Sequence, residues 1–143
     1  MRCIFFALVL SLALLSSAAL AGLKEGVVAY HQKEWMKAIA HLRPQAEGGN
    51  DTAMTLLANM YSDGLGVIQN DAEAFSLYSR AAEKGNVEAM VAVGAMHASG
   101  RSVAQNMKRA AEWFERAASL GNQTGAFLYA SALYRGNKGG KND

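Results

Sequence analysis

A single cysteine, Cys3, stands in the 143-residue chain, so no intramolecular disulfide can form and the fold must rest on packing. Charge is also scarce, with 14 basic and 12 acidic side chains and a formal net charge of +2. That balance gives neither a nucleic-acid footprint nor attraction to an anionic membrane surface. The catalytic inventory is equally thin. The chain has no Gly-x-Ser-x-Gly elbow, no Cys–His pair and no cluster of carboxylates, so the parts of nucleophilic and glycosidic mechanisms are missing. Gly64-Leu65-Gly66 has no strand before it and no Gly-Lys-Ser/Thr after it, so it reads as a turn between helices and not as a phosphate loop. His31, His41 and His97 fall in different predicted helices without a second ligand at metal spacing. No catalytic residue, metal site or cofactor is therefore expected.

What is present begins with a leader pattern. Arg2 precedes an apolar run from Ile4 to Leu15, broken only by Ser11, and Ala19-Leu20-Ala21 lies just before Gly22. This predicts a signal peptide cleaved after Ala21, delivery to the periplasm or beyond the cell, and loss of Cys3 with the leader. The run is short for a bilayer core and serines and alanines follow it, so no membrane insertion is expected after cleavage. About 120 residues remain, one small domain by length.

Within that domain Gly-Asn recurs as Gly49-Asn50, Gly85-Asn86 and Gly121-Asn122, at a spacing of 36 residues. Laying residues 50–85 over 86–121 without gaps gives 13 identities, where composition alone would give about three. Each unit reads as two helices. Ala74, Tyr78, Ala81 and Ala82, like Ala110, Phe114, Ala117 and Ala118, fall at i, i+4, i+7 and i+8, one face of a second helix B. The first helix A carries Ala53, Met54, Leu57, Ala58 and Met60 in one unit and Ala89, Met90, Val93, Gly94 and Met96 in the next; the methionines read as core filler. Glycine is expected to end helix B in the left-handed conformation while asparagine caps the following helix A. Asn70 and Asn106 are expected to cap the two helices B.

The flanks read as degenerate units. A leader (1–21) precedes a shortened hairpin (22–49), two full units (50–85 and 86–121), an incomplete unit or C-terminal helix (122–135) and a tail (136–143) expected to be disordered. Pro44, the sole proline, falls inside the second helix of the first hairpin and should kink or shorten its last turn.

These residues are similar to the Sel-one-like repeat, a tetratricopeptide-like helical hairpin. The resemblance rests on Ala53, Leu57-Ala58, Tyr61, Gly64-Leu65-Gly66-Val67, Asn70-Asp71, Ala74, Leu77-Tyr78 and Ala81-Ala82-Glu83-Lys84-Gly85, with Trp113-Phe114 in the second unit. The opening Gly26-Val27-Val28-Ala29-Tyr30 and Arg43-Pro44-Gln45-Ala46-Glu47 resemble short secreted bacterial members. Departures are Ala58 for a glycine, His97 where Tyr61 stands, and Ser102 for the second loop glycine. The resemblance implies an all-α fold, a short α-α superhelix, and a scaffold, adaptor or immunity-type inhibitor whose partner is another protein. A small envelope-associated hydrolase and a structural subunit of an envelope complex are the competing readings.

Such solenoids curve with their first helices on the concave wall. The candidate contact residues there are Tyr30 and His31 from the first hairpin, and Thr55, Asn59 and Ser62 from the next helix A. Glu88 and Val91 follow, then Phe127, Ser131 and Tyr134. The last helix A is expected to lack its helix B, leaving an apolar end open to self-association through the C-terminal helix.

Overall fold

The computed structural model describes residues 20–139, and the leader core at 4–15 lies outside them. Seven helices follow one another and, among the described residues, there is no strand. They are α1 (residues 20–31), α2 (Trp35–Glu47), α3 (Asp51–Asp63), α4 (Asp71–Glu83), α5 (Val87–Ser99), α6 (Met107–Ser119) and α7 (Gln123–Gly139). From α2 onward each helix packs on its neighbours in the chain, the nearest-neighbour arrangement of an all-α helical solenoid. The helix over 20–31 runs through the Ala21–Gly22 bond. Among the described residues no helix is long and apolar enough to cross a membrane.

The Gly-Asn dipeptide works in both directions. Gly85 has φ +100°; its N–H donates to the Ala82 carbonyl at 3.0 Å, and the Asn86 N–H reaches back to Ala81 at 3.1 Å. These are the two bonds of a Schellman ending. The side-chain oxygen of the same Asn86 accepts from the Ala89 N–H at 3.0 Å, capping α5. The pattern repeats at Gly49-Asn50, where Asn50 accepts from Ala53 at 2.9 Å, and at Gly121-Asn122, where Asn122 accepts from Gly125 at 2.7 Å. Asn70 and Asn106 cap α4 and α6 through the Glu73 and Arg109 amides.

The stripes pack as their periodicity implies. Ala38, Leu42 and Ala46 of α2, and Ala74, Tyr78, Ala81 and Ala82 of α4, are buried together with Met54, Met60, Met90 and Met96. In the third hairpin Ala110, Phe114 and Ala117 are buried, while Ala118 is half-buried. Gly94 makes room for Phe114: a Cβ at residue 94 would lie 2.5 Å from the ring. Two polar ties span the units. Asn86 Nδ2 donates to Asp51 Oδ2 at 3.0 Å, and Arg101 donates both to the Ser62 carbonyl at 2.7 Å and to Asp71 at 2.6 Å. The Arg101 hydrogen bond holds the Asp71 carboxyl below its ordinary range.

Pro44 is expected to kink or shorten the last turn of α2; the shortening does not occur, because the helix continues to Glu47 with Gly48 N–H on the Pro44 carbonyl at 3.0 Å. The amide it removes would have served Ala40, on the exposed side of the helix. Helix α7 also continues past Arg135 to Gly139, four residues into the segment expected to be disordered. Gly136 costs a helix only about 1 kcal/mol, and no proline blocks the ladder. Residues 140–143 of that tail lie outside the described residues.

The inter-helix loops explain one departure from the family pattern. Gly64 and Gly66 both have φ +69°, and their counterparts Gly100 and Ser102 have φ +72° and +65°. The loop path is kept, with a serine holding a left-handed conformation. Glycine is indispensable only at residue 66, where a Cβ would lie 2.6 Å from Trp35 Cβ; Ser102 is exposed. Ser102→Gly should therefore raise stability by about 1 kcal/mol by relieving the left-handed strain. Gly66→Ala should lower stability by about 2 kcal/mol or more, because strain and overlap with Trp35 combine. Urea denaturation of the two variants reads both signs.

Candidate partner-binding surface

Helices α3, α5 and α7 stand side by side and open a groove of about 460 Å³ lined by Asn59, Glu88, Val91, Ala92, Ala95, Asn122 and Thr124. Its polar centre is Asn59. The Asn59 side-chain oxygen accepts the Tyr78 hydroxyl, and its amide donates to Tyr30 Oη at 3.4 Å and Glu88 Oε1 at 3.5 Å. Four helices thus converge on one side chain: α1, α3, α4 and α5. Burial raises the Tyr78 hydroxyl well above its ordinary pKa, and the Asp63 and Glu88 carboxylates add to this, so it stays a hydrogen-bond donor. Tyr30 is further held edge-on to Trp35, ring centroids 5.8 Å apart, and to the exposed His31 at 5.6 Å.

The sequence-predicted residues do not all share one surface. Tyr30, Asn59, Glu88 and Val91 meet on this wall. Ser131 lies beyond it, on a neighbouring apolar hollow of about 310 Å³ that also includes Ala95, Phe114, Leu128 and Ala132. Phe127 and Tyr134 are 73% and 63% exposed.

Thr55 and Ser62 are corrections. Thr55 is 2% exposed and its hydroxyl donates to the Asp51 carbonyl of its own helix at 2.9 Å, while Ser62 is likewise buried. Assigning every position off the apolar stripe to the surface fails for α3, which packs on α2 and α4 and is tied to α5, so that eight of its 13 residues are buried. Tyr78 was missed as a site residue because it fell on the core stripe of helix B. The signal was the hydroxyl itself, absent from its counterpart Phe114.

The histidines lie apart. His97 is 6% exposed, packed edge-on against Phe75 with centroids 5.5 Å apart, and its Nδ1 has no hydrogen-bond partner. His41 Nε2 lies 3.4 Å from Glu25 on the outside of the first hairpin. Among the described residues, no group of three or more His, Cys, Asp or Glu side chains is placed to hold a metal ion.

Burial and, secondarily, the Arg109 charge lower the His97 pKa below its ordinary value near 6.5. The unfolded chain then takes up the proton first, so the stability from neutral His97 is complete above about pH 6.5 and is lost as pH falls toward the folded-state value. Asp71, also depressed, acts only below about pH 4, so the two windows separate. The melting temperature should fall between pH 7.5 and 5, and His97→Tyr, which restores the residue type of Tyr61, should flatten that slope. Parallel thermal melts across the range check both.

Comparison with known proteins places this geometry. The Sel1 repeat model matches residues 51–86 and 87–122, the same 36-residue period as expected but framed one residue later. A Sel1 repeat protein from Oxalobacter formigenes superposes with a TM-score of 0.76 at 27% identity, over 80% of this chain and 47% of that one. A protective antigen of uropathogenic Escherichia coli with an SLR fold gives 0.79 at 31% identity, over 89% of this chain and 28% of that one. Cysteine-rich protein B of Helicobacter pylori, at 20% identity and TM-score 0.64, shares the fold. A protein of Rhizobium leguminosarum bv. viciae named as an exopolysaccharide production negative regulator is 44% identical over 59 residues, 41% of this chain and 22% of its own length. Its Rhizobium meliloti namesake is 42% identical over the same length. The chain therefore spans well under half the length of these curated relatives.

Proposed function

Because the chain belongs to the Sel1 repeat family, whose repeats form protein–protein interaction modules, we propose that it is exported and binds a partner protein along the α3–α5–α7 wall. The carrying observation is the convergence of Tyr30, Asn59, Tyr78 and Glu88 on a groove that Val91 and Ala92 make apolar further along. Asn59 has its rotamer fixed by Tyr78, which lowers the entropy cost of presenting its amide to a partner. Polar orientation beside an apolar strip is the composition of a recognition surface. The names of the rhizobial relatives favour a regulatory partner over a structural one. The Sel1 repeat is typically an interaction scaffold and not an enzyme, which ranks the hydrolase reading below this one.

A photo-crosslinking amino acid at Val91 should trap a discrete partner in living cells, whereas the same group at Glu112, exposed on α6, should not. Asn59→Ala should reduce the yield at Val91 about tenfold, as expected for the loss of roughly 1.4 kcal/mol. Equal crosslinking at both positions, or none at Val91, would count against the wall. Export is read separately, since N-terminal sequencing of the accumulated protein should begin at Gly22.

A further inference from the structure

We propose that Glu88 receives a basic side chain of the partner, and that an apolar side chain two residues away on the same extended segment sits on Val91, Ala92 and Ala95. This inference deepens the binding reading above and rests on it. Of the residues lining the α3–α5–α7 groove, Glu88 alone is charged, and it is exposed. Among the described residues no Lys, Arg or His forms an ion pair with it. The hydrogen bond it accepts from Asn59 Nδ2 is long, at 3.5 Å, so most of the acceptor capacity of the carboxylate stays open. This acid is particular to α5, because a shift of 36 residues in either direction puts Thr52 or Thr124 in its place.

A second open group lines the same groove. Asn86 caps α5 with its side-chain oxygen and donates its amide to Asp51. Asn122 caps α7 in the same way, through the Gly125 amide, but Val87 stands in the place of Asp51 and its side chain has no acceptor. Among the described residues the Asn122 amide therefore donates to nothing, and the half-buried side chain lines the groove. An open acceptor and an open donor suit a peptide, whose carbonyl takes the Asn122 amide while its basic side chain takes Glu88. The remaining wall is apolar. Glu88, Val91, Ala92 and Ala95 fall at i, i+3, i+4 and i+7 on one face of α5, so the apolar strip is centred about 7 Å along the axis from Glu88. Side chains on one face of an extended chain recur every second residue, also about 7 Å. The segment that fits is basic-x-apolar, in either direction. An acidic segment would set like charges together at Glu88, so the wall selects against it.

The test reads the charge separately from the wall. With the photo-crosslinking group at Val91 of the full chain in living cells, Glu88→Lys should lower the trapped yield about tenfold or more. Glu88→Gln keeps the shape of the side chain and should lower it by about threefold. Asn122→Ser keeps a capping oxygen and removes the amide, and should also lower it by about threefold. Circular dichroism of the purified variants checks that each is folded. Mass spectrometry of the trapped product should find a Lys or Arg two residues from an apolar residue in the captured segment. Changing that Lys or Arg to Glu in the partner should abolish trapping by the wild-type wall and restore it to Glu88→Lys. A glutamate that served only the dipole of α5 could not give this rescue. Trapping indifferent to Glu88→Lys, a captured segment without a basic residue at that spacing, or a charge swap without rescue would each overturn this inference and leave the wall standing. No trapped partner at Val91 would remove both.

Discussion

The junction between units depends on one residue serving two helices. In Gly85-Asn86 the asparagine amide closes α4 while its side chain opens α5, so no residue is free to vary the angle between them. A loop of several residues would leave the next hairpin many orientations; the dipeptide leaves few. The side-chain amide of Asn86 also donates to Asp51, the first residue of the preceding helix A. The cap of one unit is thus bonded to the first turn of the preceding helix A, and the register of α5 against α3 follows. The groove inherits its geometry from this, since Asn59 and Glu88 face each other only because Asp51 and Asn86 hold the helix starts level.

On such a repeated frame, chemistry enters as differences between equivalent positions. Tyr78 and Phe114 occupy the same place in successive helices B. The hydroxyl of one fixes Asn59, whereas the bare ring of the other packs onto Gly94. Asn59 itself becomes Ala95 and then Ser131 along the array. The wall is therefore polar at Asn59 and Glu88 and apolar along Val91, Ala92 and Ala95 of α5, although the backbone scarcely changes. Arg101 shows the same logic outside the groove: it stands where the preceding loop has Leu65 and bonds Asp71 and the Ser62 carbonyl.

Much of this could be read from the amino acids, because the informative interactions are local. The asparagine caps and the left-handed glycines each involve residues within a few positions of one another, and both appear as expected. The alanine and methionine stripes were legible for the same reason. What escaped depends on several helices at once. Thr55 and Ser62 look like surface residues on a helical wheel, but α3 is enclosed on three sides. Tyr78 looks like core and is core, yet its hydroxyl reaches Asn59, which lines the groove. The length of α7 was underestimated because a tail without apolar residues was read as disordered, although Gly136 is only a weak cost to the helix.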